Sequence, residues 1–103
     1  MVGTSTRTVD YAKRAEEAFE DLQRAFSRIG RITESSPATL SLTGTTRYGL
    51  QRVKLRVSAH RRDSTSCTIE IGGAGDDIWG GAARKASDKL VRVLGSQPGS
   101  QAG

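Results

Sequence analysis

A row of cations is the feature of this chain with the clearest chemical meaning. Between residues 51 and 62, apolar and polar side chains alternate. The first three polar positions that follow Gln51 are basic, namely Arg52, Lys54 and Arg56. An alternation of two is typical of a strand with one face in the core and the other in water. The segment therefore predicts a strand that presents basic groups to solvent.

The surrounding segment adds further positive charge. Residues 47–62 contain six Lys or Arg and no acid, whereas residues 63–77 contain four acids and no Lys or Arg. We predict a polyanion-binding site made of Arg47, Arg52, Lys54, Arg56, His60, Arg61 and Arg62. Nucleic acid is the predicted partner, through phosphate contacts that weaken as salt rises. Codon usage in a GC-rich genome would also enrich arginine, so the row alone does not establish binding.

Catalytic chemistry finds little support in the sequence. His60 is the only histidine and Cys67 the only cysteine. Ser58 shares a strand face with His60 but lies about 7 Å away along the backbone, too far for a nucleophile and its base. Asp76 and Asp77 are interpreted as helix caps rather than metal ligands. We therefore predict a non-enzymatic protein with no catalytic residue, no metal and no cofactor.

Two amphipathic helices enclose the predicted strands. Apolar residues three and four apart predict the first helix over about 10–29, with Thr8 or Asp10 as its cap and Gly30 left-handed at its end. The same spacing predicts a second helix over about 81–95, with Trp79 contributing to its apolar stripe. Glu20 and Arg24 of this helix are placed for a favourable ion pair. They belong to a charged face that is predicted to be solvated: Lys13, Glu16, Glu17, Glu20, Asp21, Arg24 and Arg28.

Four strands are predicted between the helices. They include a short strand over 31–35, a strand with Leu40 and Leu42 inward, the basic strand, and a strand over about 66–71. Pro37 and Gly49 predict turns, Gly44 a bulge or bend, and the glycines of 72–75 the end of the sheet. The fold class is therefore α+β, a two-layer sandwich of order αββββα. Its antiparallel sheet carries both helices on one face and leaves the other face open.

The domain organisation is predicted to be simple. A chain of 103 residues suits one domain, which we assign to residues 8–95, after a disordered N-terminus (1–7) and before a flexible tail (96–103). No segment resembles a signal peptide or approaches the ~20 apolar residues of a membrane span. Together with the lone cysteine, this predicts a cytoplasmic protein without a membrane partner, and the arginine-, glycine- and alanine-rich composition predicts a bacterial one.

The order of helix, strands and helix loosely resembles the double-stranded RNA-binding domain, whose last helix begins with a basic cluster. Arg84, Lys85 and Lys89 are the matching cations here, while the Gly-Pro-x-His loop of that family is missing. In that family the helices and a loop meet the RNA, so the resemblance leaves the basic strand unexplained.

A second class of function stays open. Open sheet faces and edge strands are common contact surfaces between proteins. The alternative to a polyanion-binding module is therefore a protein-interaction or homo-oligomerising domain with no nucleic-acid role.

Overall fold

The computed structural model describes residues 3–48, 51–75 and 81–95. Its elements, in chain order, are β1 (Gly3–Tyr11), α1 (Ala15–Ile29), β2 (Gly30–Ser36), β3 (Ser41–Tyr48), β4 (Gln51–Arg61), β5 (Cys67–Gly75) and α2 (Gly81–Gly95). The strands form one antiparallel sheet in the spatial order β1-β5-β4-β3-β2. Both helices pack on the same face of this sheet and touch each other, which confirms the predicted two-layer α+β class.

The core lies between the sheet and the helices. On β4 and β5 the inward side chains are fully buried or nearly so: Val53, Leu55, Val57, Ala59, Cys67, Ile69 and Ile71. From α1 come Phe19, Leu22 and Phe26, and from α2 Ala83, Ala86 and Leu90. The alternation of buried and exposed residues along β4 confirms the predicted register, because a shift of one residue would place its cations in the core.

An N-terminal strand is the main difference from the predicted order, which becomes βαββββα. Where the sequence predicts disorder up to residue 7 and a helix from about residue 10, β1 pairs with β5 along its whole length, from Gly3 opposite Gly75 to Tyr11 opposite Cys67. Helix α1 starts only at Ala15, and no side chain caps its N-terminus. The strand was missed because its outer positions are polar and its pairing partner lies far along the chain.

The glycines act through close packing rather than through left-handed turns. Gly30 is extended (φ −172°) and continues α1 directly into β2, contrary to the prediction. A Cβ atom at this position would lie 2.1 Å from the carbonyl oxygen of Thr45. Residues 72–75 belong to β5 instead of ending the sheet. A Cβ at Gly73 would lie 3.2 Å from that of Ala83, so glycine lets α2 approach the sheet closely.

The hairpin between β2 and β3 also departs from the prediction in detail. Pro37 begins the turn as expected, but Leu40 lies in the turn with φ 52°, and β3 starts one residue later. The bulge is on β2, because Thr33 has no partner in the register. Gly44 is needed for another reason: a Cβ there would lie 2.5 Å from the Phe26 ring.

Asp21 is buried, although the helical pattern predicts it on the solvated face of α1. Only 1% of the residue is exposed. Its carboxylate accepts hydrogen bonds from the Tyr11 hydroxyl (2.6 Å) and the Lys13 ammonium (2.9 Å), and it pairs with Arg24, which was predicted to pair with Glu20. Burial acts to raise the pKa of Asp21, but the Tyr11 and Lys13 hydrogen bonds and the neighbouring positive charges outweigh it and hold the pKa below its usual value.

Some predictions fall outside the described residues. These are the turn at Gly49, the caps at Asp76 and Asp77, the contribution of Trp79 to the second helix, and the tail at 96–103. Neither α1 nor α2 is long and apolar enough to cross a membrane.

Candidate functional site

The open face of the sheet carries the basic row. Lys54 is opposite Thr45 of β3 and Ala74 of β5, and Arg56 is opposite Thr43 and Gly72. All four neighbours have short side chains or none. Each cation therefore projects above the surrounding surface of the sheet. Along the strand, successive outward cations are about 7 Å apart, which is two residues of an antiparallel strand.

A groove follows from this arrangement. It has a volume of about 750 Å³ and crosses all five strands, from Thr6 on β1 to Glu34 on β2. Of the described residues that line it, Lys54 and Arg56 are the basic ones and Glu34 is the acid. Glu34 is opposite Thr43, which in turn is opposite Arg56, so the backbones at the two charged positions are two strand spacings, or roughly 10 Å, apart, and the two side chains form no ion pair. The centre of the groove is therefore positive and lined by hydroxyl groups.

Ion pairing divides the seven predicted site residues into two groups. Arg61 pairs with Glu16 of α1, Arg62 pairs with Asp10 of β1 at 3.0 Å, and His60 is near Glu70. These residues carry their own counter-charges. In the described part of the chain, no acid lies within ion-pair distance of the remaining four: Arg47, Arg52, Lys54 and Arg56. The structure thus brings four of the predicted residues together as an unneutralised row.

Arg61 is on the helix side of the sheet rather than on the open face. Its guanidinium holds α1 through Glu16. A backbone hydrogen bond and this guanidinium hold the pKa of Glu16 below its usual value. Arg61 is therefore better explained as a link between β4 and α1 than as a phosphate ligand.

The Ser58 and His60 side chains are closer than the sequence predicts. The hydroxyl oxygen of Ser58 is 3.0 Å from Nε2 of His60, because both side chains lean toward each other along the strand. Glu70 approaches the same nitrogen, at 3.8 Å. A catalytic triad needs the carboxylate on the other ring nitrogen, where it orients the imidazole. The prediction that the Ser58 and His60 side chains are too far apart to interact is wrong. Their geometry is that of a hydrogen bond on the protein surface.

Cys67 is a buried thiol on the inner face of β5. Burial raises its pKa, and the charge of Glu16 raises it further, so the thiolate is disfavoured. This environment gives the cysteine no reactive role.

Sequence reasoning missed several residues that line the groove. Thr6 was assigned to a disordered segment, and Gly72 and Ala74 to a turn. The sequence does contain a signal for the longer strand over residues 67–75. The alternation of buried and more exposed positions continues through residues 72–75 if glycine and alanine are allowed within a strand.

Comparison with known proteins yields a structural likeness only. No protein-family model and no curated protein sequence matches the chain. The crystal structure of the Zhui aromatase/cyclase from Streptomyces sp. R1128 is similar, with a TM-score of 0.56 and 11% sequence identity. The alignment covers 91% of this chain and 84% of that protein.

This likeness corrects one prediction. The sequence predicts a non-enzymatic protein. That prediction is contradicted, because an aromatase/cyclase has a similar fold. At 11% identity the likeness shows the fold alone, so no residue of this chain acquires a catalytic role from it.

Proposed function

We propose that the open face of the sheet binds nucleic acid through its phosphate backbone, with little dependence on base sequence. The observation that carries the proposal is the row of cations that have no acidic partner among the described residues, beside a hydroxyl-lined groove: Arg47, Arg52, Lys54 and Arg56. Arginine and lysine supply the donors that phosphate oxygens accept. Among the described outward residues there is no aromatic ring for base stacking, which favours backbone contacts over base readout.

The net charge of +5 supports the same partner. Binding of a phosphate chain releases its counterions, so the association constant should fall with salt concentration. Four phosphate contacts correspond to a slope of about −3.6 for duplex DNA and about −2.8 for a single strand in a plot of log K against log salt. We place this activity in the cytoplasm, where nucleic acid is present and a free thiol such as that of Cys67 persists.

The decisive experiment compares two double variants by fluorescence anisotropy with labelled duplex RNA, duplex DNA and single strands. Lys54→Gln with Arg56→Gln removes two cations from the groove. Arg61→Gln with Arg62→Gln removes the same charge from cations that already have acidic partners. We expect the first pair to weaken binding roughly tenfold and to reduce the salt slope by about two, with a much smaller effect of the second. Equal losses would show that only net charge matters and would overturn the proposal.

A glycine on the groove floor offers a second test. A Cβ at Gly72 would meet only the carbonyl oxygen of Arg56, at 3.9 Å, so a side chain fits there. Gly72→Glu would place a carboxylate beside Arg56 and should reduce binding more than Gly72→Gln, which fills the same space without charge. Circular dichroism would verify that both variants keep the fold.

Self-association is a second candidate, favoured by one observation. Strand β1 forms an edge of the sheet, and its pairing with β5 runs over nine residues without a bulge. An edge of this kind can pair with a second copy of itself. Sedimentation velocity at high protein concentration tests this, since a strictly monomeric species would remove it.

A further inference from the structure

A second cleft opens at the end of the sheet where β2 begins and β3 ends. Its volume is about 840 Å³. Four lining residues are basic and come from four different elements: Arg31 of β2, Arg47 of β3, Arg52 of β4 and Lys89 of α2. Among the described residues that line it, none is acidic. Positive charge therefore converges here from both layers of the fold, and Arg31 and Lys89 belong to no site predicted from the basic strand.

These four cations have no counter-charge within the described ranges. None of them takes part in an ion pair there. Arg47 and Arg52 are directly opposite each other in the register of β3 and β4. Like charges in this position repel and destabilise a sheet. An anion held between them would remove that repulsion.

The remaining lining residues define the chemistry further. Thr45 adds a hydroxyl group, and Ile29 and Ile32 add an apolar wall, while the Thr33 hydroxyl donates to the carbonyl oxygen of Thr43. Guanidinium groups match the oxygens of a phosphate in pairs, and hydroxyls donate to the same oxygens. A phosphodiester carries one negative charge, whereas a phosphomonoester carries about −1.5 to −2 at neutral pH. Four cations around one volume are better matched by the higher charge.

We infer that this cleft binds a phosphomonoester group. Two sources share that chemistry: the terminal phosphate of a nucleic-acid strand that lies along β4, and a free phosphorylated small molecule. Arg52 belongs both to this cleft and to the row that continues through Lys54, which gives a strand end a direct path into the cleft. The inference goes beyond the proposed nucleic-acid binding and does not require it.

The first experiment is a titration of the full chain with inorganic phosphate, followed by the backbone amide signals in ¹H–¹⁵N spectra. Arg31→Gln with Lys89→Gln removes two cleft cations that do not line the groove. Arg28→Gln with Arg84→Gln is the matched control, since these exposed helical residues lie outside both surfaces. We expect shifts concentrated at Gly30, Ile32, Thr45 and Thr46, roughly tenfold weaker phosphate binding in the cleft variant, and unchanged binding in the control. Shifts spread evenly over the positive surface, or equal losses in both variants, would overturn the inference.

The second experiment separates the two sources. Nucleoside 5′-monophosphate is compared with the nucleoside, and oligonucleotides with a 5′- or 3′-terminal phosphate are compared with one that has neither. A terminal phosphate that raises affinity about fivefold, only while Arg31 and Lys89 are present, assigns the cleft to strand ends. A gain for the free nucleotide alone assigns it to small molecules. No gain from any phosphomonoester would overturn the inference.

The Lys54→Gln, Arg56→Gln variant keeps the two proposals apart. It lacks the groove cations but retains all four cleft cations, so it should bind inorganic phosphate like the wild type while losing affinity for unphosphorylated strands. A wild-type protein that binds inorganic phosphate but no strand would remove the proposed function and leave the cleft in place, whereas weaker phosphate binding in this variant would show that the cleft is not a separate site.

Discussion

Asp21 shows how a charged residue of α1 contributes to stability from inside the fold. Its carboxylate joins the end of β1 to α1 through Tyr11 and Lys13. A helix pattern assigns such a residue to the surface, because it follows Glu20 on the charged side of the helical wheel. It is buried because β1 brings the Tyr11 hydroxyl over it. The position of Asp21 could thus be predicted only after β1 was known.

We expect Asp21→Asn to lower the free energy of unfolding by about 1–3 kcal/mol at pH 7, since Lys13 and Arg24 would lose their buried counter-charge. The pKa of Asp21 is lowered in the folded state, so its stabilising contribution is present above the unfolded pKa and is lost as the pH falls through the folded pKa. The difference between wild type and variant should therefore shrink below about pH 4. Urea denaturation of both proteins at pH 7 and pH 3 measures this difference in the free energy of unfolding. A difference that does not depend on pH would contradict the stabilising role of the ionised Asp21 carboxylate.

At the scale of elements, two glycines on β3 and β5, the strands on either side of β4, serve opposite purposes. Gly44 faces the core, where a Cβ would meet the Phe26 ring at 2.5 Å, whereas Gly72 faces the open side with nothing nearer than 3.9 Å. We expect Gly44→Ala to destabilise the protein by roughly 2 kcal/mol or more through overpacking. Gly72→Ala should be neutral or stabilising by about 0.5 kcal/mol, because alanine restricts the unfolded chain. Thermal unfolding of both variants measures the two changes in stability. Equal destabilisation by Gly44→Ala and Gly72→Ala would mean that the core and open faces of the sheet are assigned wrongly.

The same elements show what a sequence can predict about this fold. Helix α1 and strand β4 have strong internal periods, so their type and inward faces follow from local spacing. Strand β1 and the glycines of β5 show no such period. The size and polarity of their inward residues depend on the helix that packs against them, which the local sequence does not reveal. The strand position 73 is occupied by glycine because a Cβ there would crowd Leu55 of β4 and Ala83 of α2.

The candidate site was predictable to a similar extent. The outward direction of Lys54 and Arg56 follows from alternation within one strand. Which cations lack acidic partners does not follow, since Glu16 and Asp10 reach Arg61 and Arg62 from distant elements. Arg31 and Lys89 meet at the second cleft for the same reason: their proximity depends on the packing of α2 against the sheet.

For the whole molecule, the unneutralised cations should reduce stability. Arg47 and Arg52 repel across the β3–β4 ladder. We expect Arg47→Thr to raise the free energy of unfolding by about 0.5 kcal/mol at low salt, since the repulsion ends and threonine favours strands. The gain should diminish at high salt, where the Debye length shortens. Urea denaturation at two salt concentrations measures both effects, and destabilisation by the variant would show that Arg47 has a structural role.

The placement of β1 also has a consequence for how the protein is made. Strand β1 leaves the ribosome before its partner β5, with α1 and three strands between them, and α2 packs against both. The segment from α1 to β4 can form its local hairpin contacts during synthesis, while β1 waits without a partner until β5 has emerged. Contacts so distant in sequence slow folding, because a long loop must close before they form. The nascent chain therefore exposes the part of the inner face of β4 that α2 covers until β5 and α2 have emerged, and during this interval it is most open to misfolding or to capture by a chaperone.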